Sequence, residues 1–370
     1  MSVKREGSIR YSSQAIQLDT VRSWPIVVGA GILTQLEKHF DFSGYSSIIL
    51  ITDVNVAKLY GQTIQESLKG TGKKVHVLTL PPGEKTKSLR SAELAYHFLM
   101  DNNIDRRAVI CTLGGGVIGD LGGYIAATYL RGVEYIQLPT TLLAQVDSSI
   151  GGKVGVNFGG KKNMVGSFYQ PRAIISDVSC LQSLAPAEMR NGMAEVIKYG
   201  AAMDEKLFSQ LEQMSGKAFS RADMADIVMR CSALKAAIVE ADETERSGQR
   251  AILNFGHTVG HAIEAVARFR GQSHGKAVAI GMVAAARLSE RSGRLDASSA
   301  NRIGRVLQRF GLPVSCYGTK PEELVAAIHF DKKTVMGRTG WVLLKGIGKG
   351  VVNQPVAEEV VKGVLKEICR

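Results

Sequence analysis

A chain of 370 residues exceeds the usual 100–200 residues of one domain, so two domains are expected. Hydrophobic residues are 45% and charged residues 22%, which argues against a disordered, fibrous or low-complexity protein. The 46 lysines and arginines outnumber the 34 acids by 12, so an anionic partner is expected. Since no run of five or six positive residues occurs and aromatic residues are only 6%, a small anionic molecule fits better than nucleic acid.

Cysteine usage and hydropathy indicate the compartment. The five cysteines are scattered and form no CxxC pair, as is typical of free thiols in a reducing environment. No window approaches the ~18 consecutive apolar residues of a membrane span, and the first residues form no apolar signal segment. We therefore expect a cytoplasmic protein with no membrane partner. The basic, serine-bearing start of the chain leaves a targeting remnant as the alternative.

In the first half of the chain, short β-branched runs alternate with helical stretches, which predicts a parallel sheet. Strands are predicted at Pro25–Val28, Ser47–Thr52, Val75–Leu80 and Ala108–Leu113, with helices at Asn55–Leu68 and Ser88–Met100. After about Ser183 the pattern becomes alanine-rich with a 3.6-residue period. Helices are predicted there at Pro186–Tyr199, Asp223–Val239, His257–Ala267, Lys276–Ser292, Ala297–Phe310 and Glu322–Phe330. The chain thus divides into an α/β domain over residues 1–182 and a mainly α-helical domain over residues 183–370, with a cleft between them.

A glycine turn indicates a dinucleotide site. Gly114–Gly119 satisfies GxGxxG directly after a predicted strand and before a helical stretch, where a backbone can approach a pyrophosphate. In the usual Rossmann unit an acid follows about twenty residues later. Here Asp53 ends an earlier strand and Asp120 lies in the helix after the turn, so this would be a variant dinucleotide fold. The alternatives are an ordinary tight turn and, for Asp53, a helix N-cap.

A histidine cluster indicates a metal site. His257, His261 and His274 fall within eighteen residues, and the first two are four apart, hence on one helix face. Zinc or cobalt at a catalytic site takes histidine nitrogen and carboxylate oxygen and keeps a position for water or substrate. The alternative is a set of hydrogen-bonded core histidines.

The spacing leaves the carboxylate ligand open. Candidates are Glu264 on the same helix, Glu195 among apolar residues, and the acids of residues 242–245. Glu195 would need a partner when buried, and a salt bridge with Lys198 three residues on is the alternative to metal ligation.

Glycines beside lysines indicate an anion site between Gly151 and Gly166. Backbone amides and the ammonium groups of Lys153, Lys161 and Lys162 can converge there on a phosphate or carboxylate. A solvated basic loop is the alternative, but the adjoining apolar residues, including Met164, favour partial enclosure. We expect these lysines to pair with Asp147 just upstream.

Together these segments closely resemble the 3-dehydroquinate synthase family of sugar-phosphate cyclases. The resemblance runs from about Pro25 to Ile347. It is carried by residues 114–153, including PTTLLAQVDSSIGGK, by NGMAEVIK at 191–198, by LNFGHTVGHAIE at 253–264, and by the His-Gly pair at 274–275.

The resemblance implies an N-terminal NAD-binding α/β domain, a C-terminal α-helical metal-binding domain, and usually a homodimer. It implies one divalent ion, zinc or cobalt, held by Glu195, His257 and His274, which leaves His261 as an acid/base or substrate-contacting group. NAD would be contacted by Asp53, Asn55, Glu84, Lys87, Gly115, Gly116, Asp120, Thr140, Thr141, Lys162 and Ser183. The substrate would be bound by Arg131, Lys153, Lys162, Asn163, Arg250 and Lys333. Catalysis would use His261, Lys153, Asp147, Lys198, Lys235 and Asn254.

The implied reaction converts 3-deoxy-D-arabino-heptulosonate 7-phosphate to 3-dehydroquinate and phosphate, in the shikimate pathway to aromatic amino acids. It would proceed by transient oxidation by NAD, β-elimination of phosphate, reduction and intramolecular aldol closure. The substrate carries a phosphate and a carboxylate, which suits the basic set. Residues 242–250 are one residue longer than the family pattern, so Glu243 and Glu245 receive no role. The alternatives are another sugar-phosphate cyclase, a metal-dependent polyol dehydrogenase, and a non-catalytic basic protein that binds nucleic acid.

Overall fold

A six-stranded parallel sheet forms the N-terminal domain of the computed structural model, which describes residues 24–214, 219–267, 273–330 and 340–369. The strands up to the domain junction are β1 (Ile26–Gly29), β2 (Ser47–Asp53), β3 (Lys74–Leu80), β4 (Val109–Gly114), β5 (Glu134–Pro139), β6 (Lys153–Phe158), β7 (Lys161–Phe168) and β8 (Ala173–Asp177). The sheet order is β1-β8-β5-β4-β2-β3, and each neighbouring pair is parallel. The predicted parallel sheet is confirmed.

Two of the four described helices that follow the strands of this domain begin at a side-chain cap, Asp53 for the first and Ser88 for the third. The four are α1 (Val54–Val56) and α2 (Gln62–Lys69), joined by a π-helical turn at Ala57–Gly61, then α3 (Leu89–Asp101) and α4 (Gly116–Thr128). Asp53 accepts hydrogen bonds from the backbone N–H groups of Asn55 and Val56, at 2.8 and 3.1 Å. The N-cap role considered for Asp53 is therefore present.

Both faces of the sheet are buried. Ile49 and Ile51 of β2 pack in the core on one side, and Ile48 and Leu50 pack in the core on the other side. This explains the continuous apolar run, since strands covered on both faces do not alternate. Helix α4 can pack closely on the sheet because Gly122 has no side chain. A Cβ added there would overlap the side chain of Thr112.

The segment between Gly151 and Gly166, for which an anion site was expected and a solvated basic loop was the alternative, forms the antiparallel hairpin β6–β7. It turns at Gly159 and Gly160, whose φ angles of 58° and 73° suit glycine. Val154 of β6 is buried against α4, but Met164 of β7 is exposed. The expected enclosure is therefore wrong for Met164, because β7 is exposed along most of its length whereas β6 packs against α4.

Helices dominate the second domain, as predicted. They are α5 (Pro186–Met203), α6 (Glu205–Met214), α7 (Arg221–Ala241), α8 (His257–Val266), α9 (His274–Arg291), α10 (Ala297–Arg309), α11 (Pro321–Phe330) and α12 (Glu358–Ile368). The sequence analysis did not predict α6, α12 or the hairpin of β9 (Trp341–Leu344) and β10 (Gly350–Gln354). Across the described ranges, no helix is long and apolar enough to cross a membrane.

The two domains share one hydrophobic core. Leu142 and Val146, which follow β5, pack with Ile197 of α5 and with Ile227 and Val228 of α7. The junction therefore holds side chains from both domains in fixed relation, which is what a site built from both requires.

Candidate active site

Three potential metal ligands converge in the helical domain. Glu195 comes from α5, His257 begins α8 and His274 begins α9. Glu195 Oε1 lies 3.6 Å from His257 Nε2 and 3.4 Å from His274 Nε2, and the three ligand atoms lie within 4.8 Å of one another. Two imidazole nitrogens and one carboxylate oxygen match a catalytic zinc site with an open position.

The surroundings of Glu195 fit a cation. The side chain is fully buried, with Lys198 Nζ against Oε2 and the Nε2 atoms of His257 and His274 at 3.6 and 3.4 Å from Oε1. A buried carboxylate needs compensating positive charge, and a cation between the three ligand atoms would add to the charge that Lys198 supplies. His261 stands beside this group, with its ring centre 5.4 Å from that of His257.

The close crossing of α8 and α9 brings the histidines together. Gly256, with φ 81°, caps the start of α8 directly before His257. A Cβ added at Gly281 of α9 would overlap the carbonyl oxygen of Gly256 and lie 2.9 Å from Gly260 N. The two backbones can therefore touch only because these positions lack side chains.

Charges in the metal site are strongly coupled. Lys198 contacts Glu195 Oε2, so the salt bridge considered in the sequence analysis coexists with the histidine contacts. Burial raises the pKa of Glu195, but the charge of Lys198 and then that of His257 outweigh it and hold this pKa well below its usual value. Burial lowers the pKa of His257 to about 3, so its imidazole is neutral at pH 7, the form that binds metal.

His274 carries a proton between two carboxylates. Burial lowers the pKa of His274, but its hydrogen bonds to Glu195 and Glu264 outweigh that effect and raise this pKa to about 10. A divalent cation beside Glu195 would compete with that proton for His274 Nε2.

Asp147 lies in a second buried charge cluster. Its Oδ1 accepts hydrogen bonds from Lys235 Nζ at 2.6 Å and from Tyr199 Oη at 2.9 Å. The expected pairing with the hairpin lysines is wrong, because α7 places Lys235 against Asp147 whereas the hairpin lysines contact other acids. Burial raises the pKa of Asp147, but Lys235 and Lys198 lower it to about 2.

The hairpin carries its basic residues to acids of the helical domain. Lys153 contacts Glu245, which also lies 3.4 Å from Nε of the buried Arg250. Lys162 Nζ lies 3.8 Å from Glu264 Oε1. Asn163 has φ 56° and donates its backbone N–H to Asn157. Lys153 and Lys162 therefore reach across the junction between the domains.

Most of the residues expected to contact NAD lie at the carboxyl edge of the sheet. Asp53 ends β2, Gly115 and Gly116 follow β4, Thr140 and Thr141 follow β5, and Ser183 follows β8, with Asn55 exposed at the start of α1. Thr140 N–H donates to Gly114 O at 2.9 Å, so the β4 and β5 turns are joined. Ligands of open parallel sheets bind at this edge.

Two further expected residues, Lys87 and Asp120, form a buried ion pair beside the glycine turn. Burial raises the pKa of Asp120, and the charge of Lys87 acts against that rise. Glu84 accepts a hydrogen bond from Asn157 of the hairpin at 2.8 Å. The segment at residues 84–87 is thus attached both to α4 and to β6.

Not every expected residue joins the cluster. Arg131 lines a separate cleft of about 670 Å³ with Tyr45, Tyr169 and Arg172. Asn254 is exposed at the end of the 3-10 turn before α8. Lys333 lies outside the described residues.

Sequence reasoning missed Tyr199. Its hydroxyl donates a hydrogen bond to Asp147 Oδ1, and its ring centre lies 4.9 Å from Lys198 Nζ. The signal was present, because Glu195, Lys198 and Tyr199 are spaced i, i+3 and i+4 and so share one helix face.

The fold and the site define a two-domain enzyme class in which an α/β dinucleotide domain is joined to a helical metal-binding domain. Two solved structures are similar to this fold. A 2-deoxy-scyllo-inosose synthase complexed with carbaglucose-6-phosphate, NAD+ and Co2+ has TM-score 0.82 and 28% identity over 92% of this chain and 96% of that one. A 2-epi-5-epi-valiolone synthase from Streptomyces hygroscopicus with NAD+ and Zn2+ bound has TM-score 0.84 and 25% identity over 99% of each chain.

Sequence comparison fixes the family within this class. Residues 77–191 match the model of the 3-dehydroquinate synthase N-terminal domain, and residues 192–334 match that of the C-terminal domain. A 3-dehydroquinate synthase from Desulforamulus reducens is 43% identical over 350 residues, covering 94% of this chain and 97% of the relative. The chain belongs to the 3-dehydroquinate synthase family.

Proposed function

We propose that this protein is an enzyme that converts 3-deoxy-D-arabino-heptulosonate 7-phosphate to 3-dehydroquinate and phosphate, a step of the shikimate pathway. The observation that carries the proposal is the convergence of Glu195, His257 and His274 beside lysines from both domains, in a chain 43% identical to a 3-dehydroquinate synthase. The mechanism is oxidation by NAD, β-elimination of phosphate, reduction and intramolecular aldol closure.

Glu195, His257 and His274 would hold one divalent ion, zinc or cobalt, and the carboxyl edge of the sheet would hold NAD. When bound, NAD accepts and returns a hydride, and the ion polarises a substrate hydroxyl oxygen. The NAD contacts are proposed to come from Asp53, Asn55, Glu84, Lys87, Gly115, Gly116, Asp120, Thr140, Thr141, Lys162 and Ser183.

The substrate anion would be held by cations that the fold has already oriented. Arg250 is 3% exposed, and its Nη1 donates to Glu243 O at 2.8 Å, so its guanidinium is fixed before any ligand arrives. Lys153 shares Glu245 with Arg250, which places an ammonium and a guanidinium together. Such a pair suits a phosphate or carboxylate. Asn163, Lys162 and Lys333 are proposed to complete this binding set.

The buried charges also determine which groups can transfer protons. Burial lowers the pKa of Lys235 in spite of the charge of Asp147, so its proton is held less firmly than that of an exposed lysine. Asp147 stays ionised near neutral pH and can orient Lys235 or a substrate hydroxyl without protonating it. We assign proton transfer and substrate contact to His261, Lys153, Asp147, Lys198, Lys235 and Asn254.

A homodimer completes the proposal. Phe158, Met164 and Phe168 expose apolar surface on the hairpin, and Leu130 exposes more beside Arg131. Apolar surface of this kind is typical of an interface, and Arg131 would then reach the site of the second copy. We place the domain boundary at residues 182 and 183, just before α5. The five free cysteines support a reducing, cytoplasmic compartment.

The test is phosphate release from 3-deoxy-D-arabino-heptulosonate 7-phosphate by purified protein with NAD and zinc or cobalt. We expect release that requires the metal, dehydroquinate as product, no accumulation of NADH, and a loss of activity in Glu195→Gln. Lasting NADH accumulation would instead indicate a dehydrogenase. Release only from a hexose 6-phosphate, which lacks a carboxylate, would indicate another sugar-phosphate cyclase and overturn the proposal.

A further inference from the structure

Each histidine of the metal triad has an acceptor on the side of its ring that faces away from Glu195. For His257 the acceptor is a backbone carbonyl, since Nδ1 lies 3.3 Å from Phe255 O. For His274 it is a side chain, since Nδ1 lies 3.4 Å from Glu264 Oε2. In both rings Nε2 faces Glu195 Oε1. The two histidines are thus oriented in the same way by different means.

This arrangement determines which nitrogen can bind a cation. A neutral imidazole has one N–H and one lone pair, and an acceptor at Nδ1 holds the N–H there. The lone pair of Nε2 then points toward Glu195, where the ligand atoms converge. Second-sphere acceptors of this kind fix the tautomer and raise the basicity of the metal-binding nitrogen.

We infer that Glu264 is a positioning residue that holds the Nδ1–H tautomer of His274 and so raises the affinity of the site for a divalent cation. The inference rests on the metal site of the proposed function and adds to it a residue that is not a ligand. Glu264 lies two turns after His257 on α8, and its side chain is 7% exposed, so it cannot turn away into solvent.

Glu264 also connects the metal site to the other domain. Its second oxygen, Oε1, lies 3.8 Å from Lys162 Nζ on the hairpin β6–β7. One carboxylate therefore contacts a metal ligand of the helical domain through one oxygen and a lysine of the N-terminal domain through the other. Both contacts hold Glu264 in the orientation that His274 requires.

The experiment measures zinc and cobalt affinity by competition with a chromogenic chelator, with no substrate present. Wild type is compared with Glu264→Ala, which removes the acceptor, and with Glu264→Gln, which keeps a neutral one. The matched control is Glu290→Gln on α9, an acid that pairs with Arg287 at the far end of the helix from His274. Circular dichroism melting shows whether each variant is folded.

We expect Glu264→Ala to weaken binding about 10- to 100-fold, the usual cost of losing such a partner. Glu264→Gln should fall between Glu264→Ala and wild type, and Glu290→Gln should match wild type. The visible spectrum of bound cobalt should change in Glu264→Ala. Equal affinity and an unchanged cobalt spectrum in a folded Glu264→Ala would overturn the inference. If wild type itself bound neither metal, the proposed metal site would fail instead.

Discussion

The crossing of α8 and α9 makes the replacement Gly281→Ala a sharp test of how the site is built. An added Cβ would lie 2.9 Å from Gly260 N and overlap Gly256 O, whereas an ordinary contact begins at 3.4 Å. Both neighbours are backbone atoms, so no side chain can rotate away and the helices must separate. Overpacking of this kind costs about 1–3 kcal/mol or more, against a gain of about 1 kcal/mol in helix propensity.

We therefore expect Gly281→Ala to lower the free energy of unfolding by about 1–2 kcal/mol, or the melting temperature of this 370-residue chain by roughly 1–3 °C. The control is Gly304→Ala in α10, where an added Cβ meets nothing within 4 Å. That variant should gain up to about 1 kcal/mol from propensity alone. Melting followed by circular dichroism, with zinc affinity measured in parallel, tests both. A Gly281→Ala protein as stable as Gly304→Ala, with wild-type zinc affinity, would refute the packing argument.

Three other predictions follow from buried groups. The lowered pKa of Asp147, about 2 against an ordinary 3.8, stabilises the folded state above about pH 4, and this contribution is lost as the pH falls toward 2. The difference in urea midpoint between wild type and Asp147→Asn should therefore shrink between pH 5 and pH 3, and a constant difference would contradict the assignment. Tyr199→Phe removes the hydrogen bond to Asp147 and should cost about 1 kcal/mol in urea unfolding; an unchanged midpoint would show that the bond contributes nothing. Burial raises the pKa of Cys369 to about 11, so its alkylation by iodoacetamide should keep accelerating above pH 9 rather than level off there.

Four of the six strands of the parallel sheet and most of the helices could be predicted because local patterns determine them, whereas β5 and β8 were not predicted. The buried runs of β2 and β4 and the turn at Gly114 are readable directly from the sequence. The hairpin β6–β7 was missed because its glycines and lysines resemble a loop. The strand β9, which like β1 has four residues, lies after α11 in the second domain, where the sequence analysis predicted no strand. Short strands held by tertiary packing carry little signal of their own.

The three candidate metal ligands could be named before the structure was known, but the pairing of the charged side chains could not. Spacing places His257 and His261 on one helix face, yet only the contact of α8 with α9 shows that His274, not His261, faces Glu195. The resemblance supplied the ligand set that spacing left open. The partner of Asp147 depends on how α7 packs, and no local pattern contains that information.

The net charge of the acidic and basic side chains at the junction between the domains indicates which substrate would suit the site once a metal is bound. Lys198, Lys235 and Lys162 each face one acid, namely Glu195, Asp147 and Glu264, while Lys153 and Arg250 share Glu245. With His274 neutral as a metal ligand, these five cations and four acids carry one net positive charge, and a divalent cation would raise it to three; Arg131 and Lys333 stand outside this count. A substrate with a phosphate of about −2 and a carboxylate of −1 would neutralise it. Because uncompensated charge is costly in a partly buried site, a sugar phosphate without the carboxylate would leave one positive charge unmatched. This favours the heptulosonate phosphate, which carries a carboxylate, over hexose phosphates that lack one.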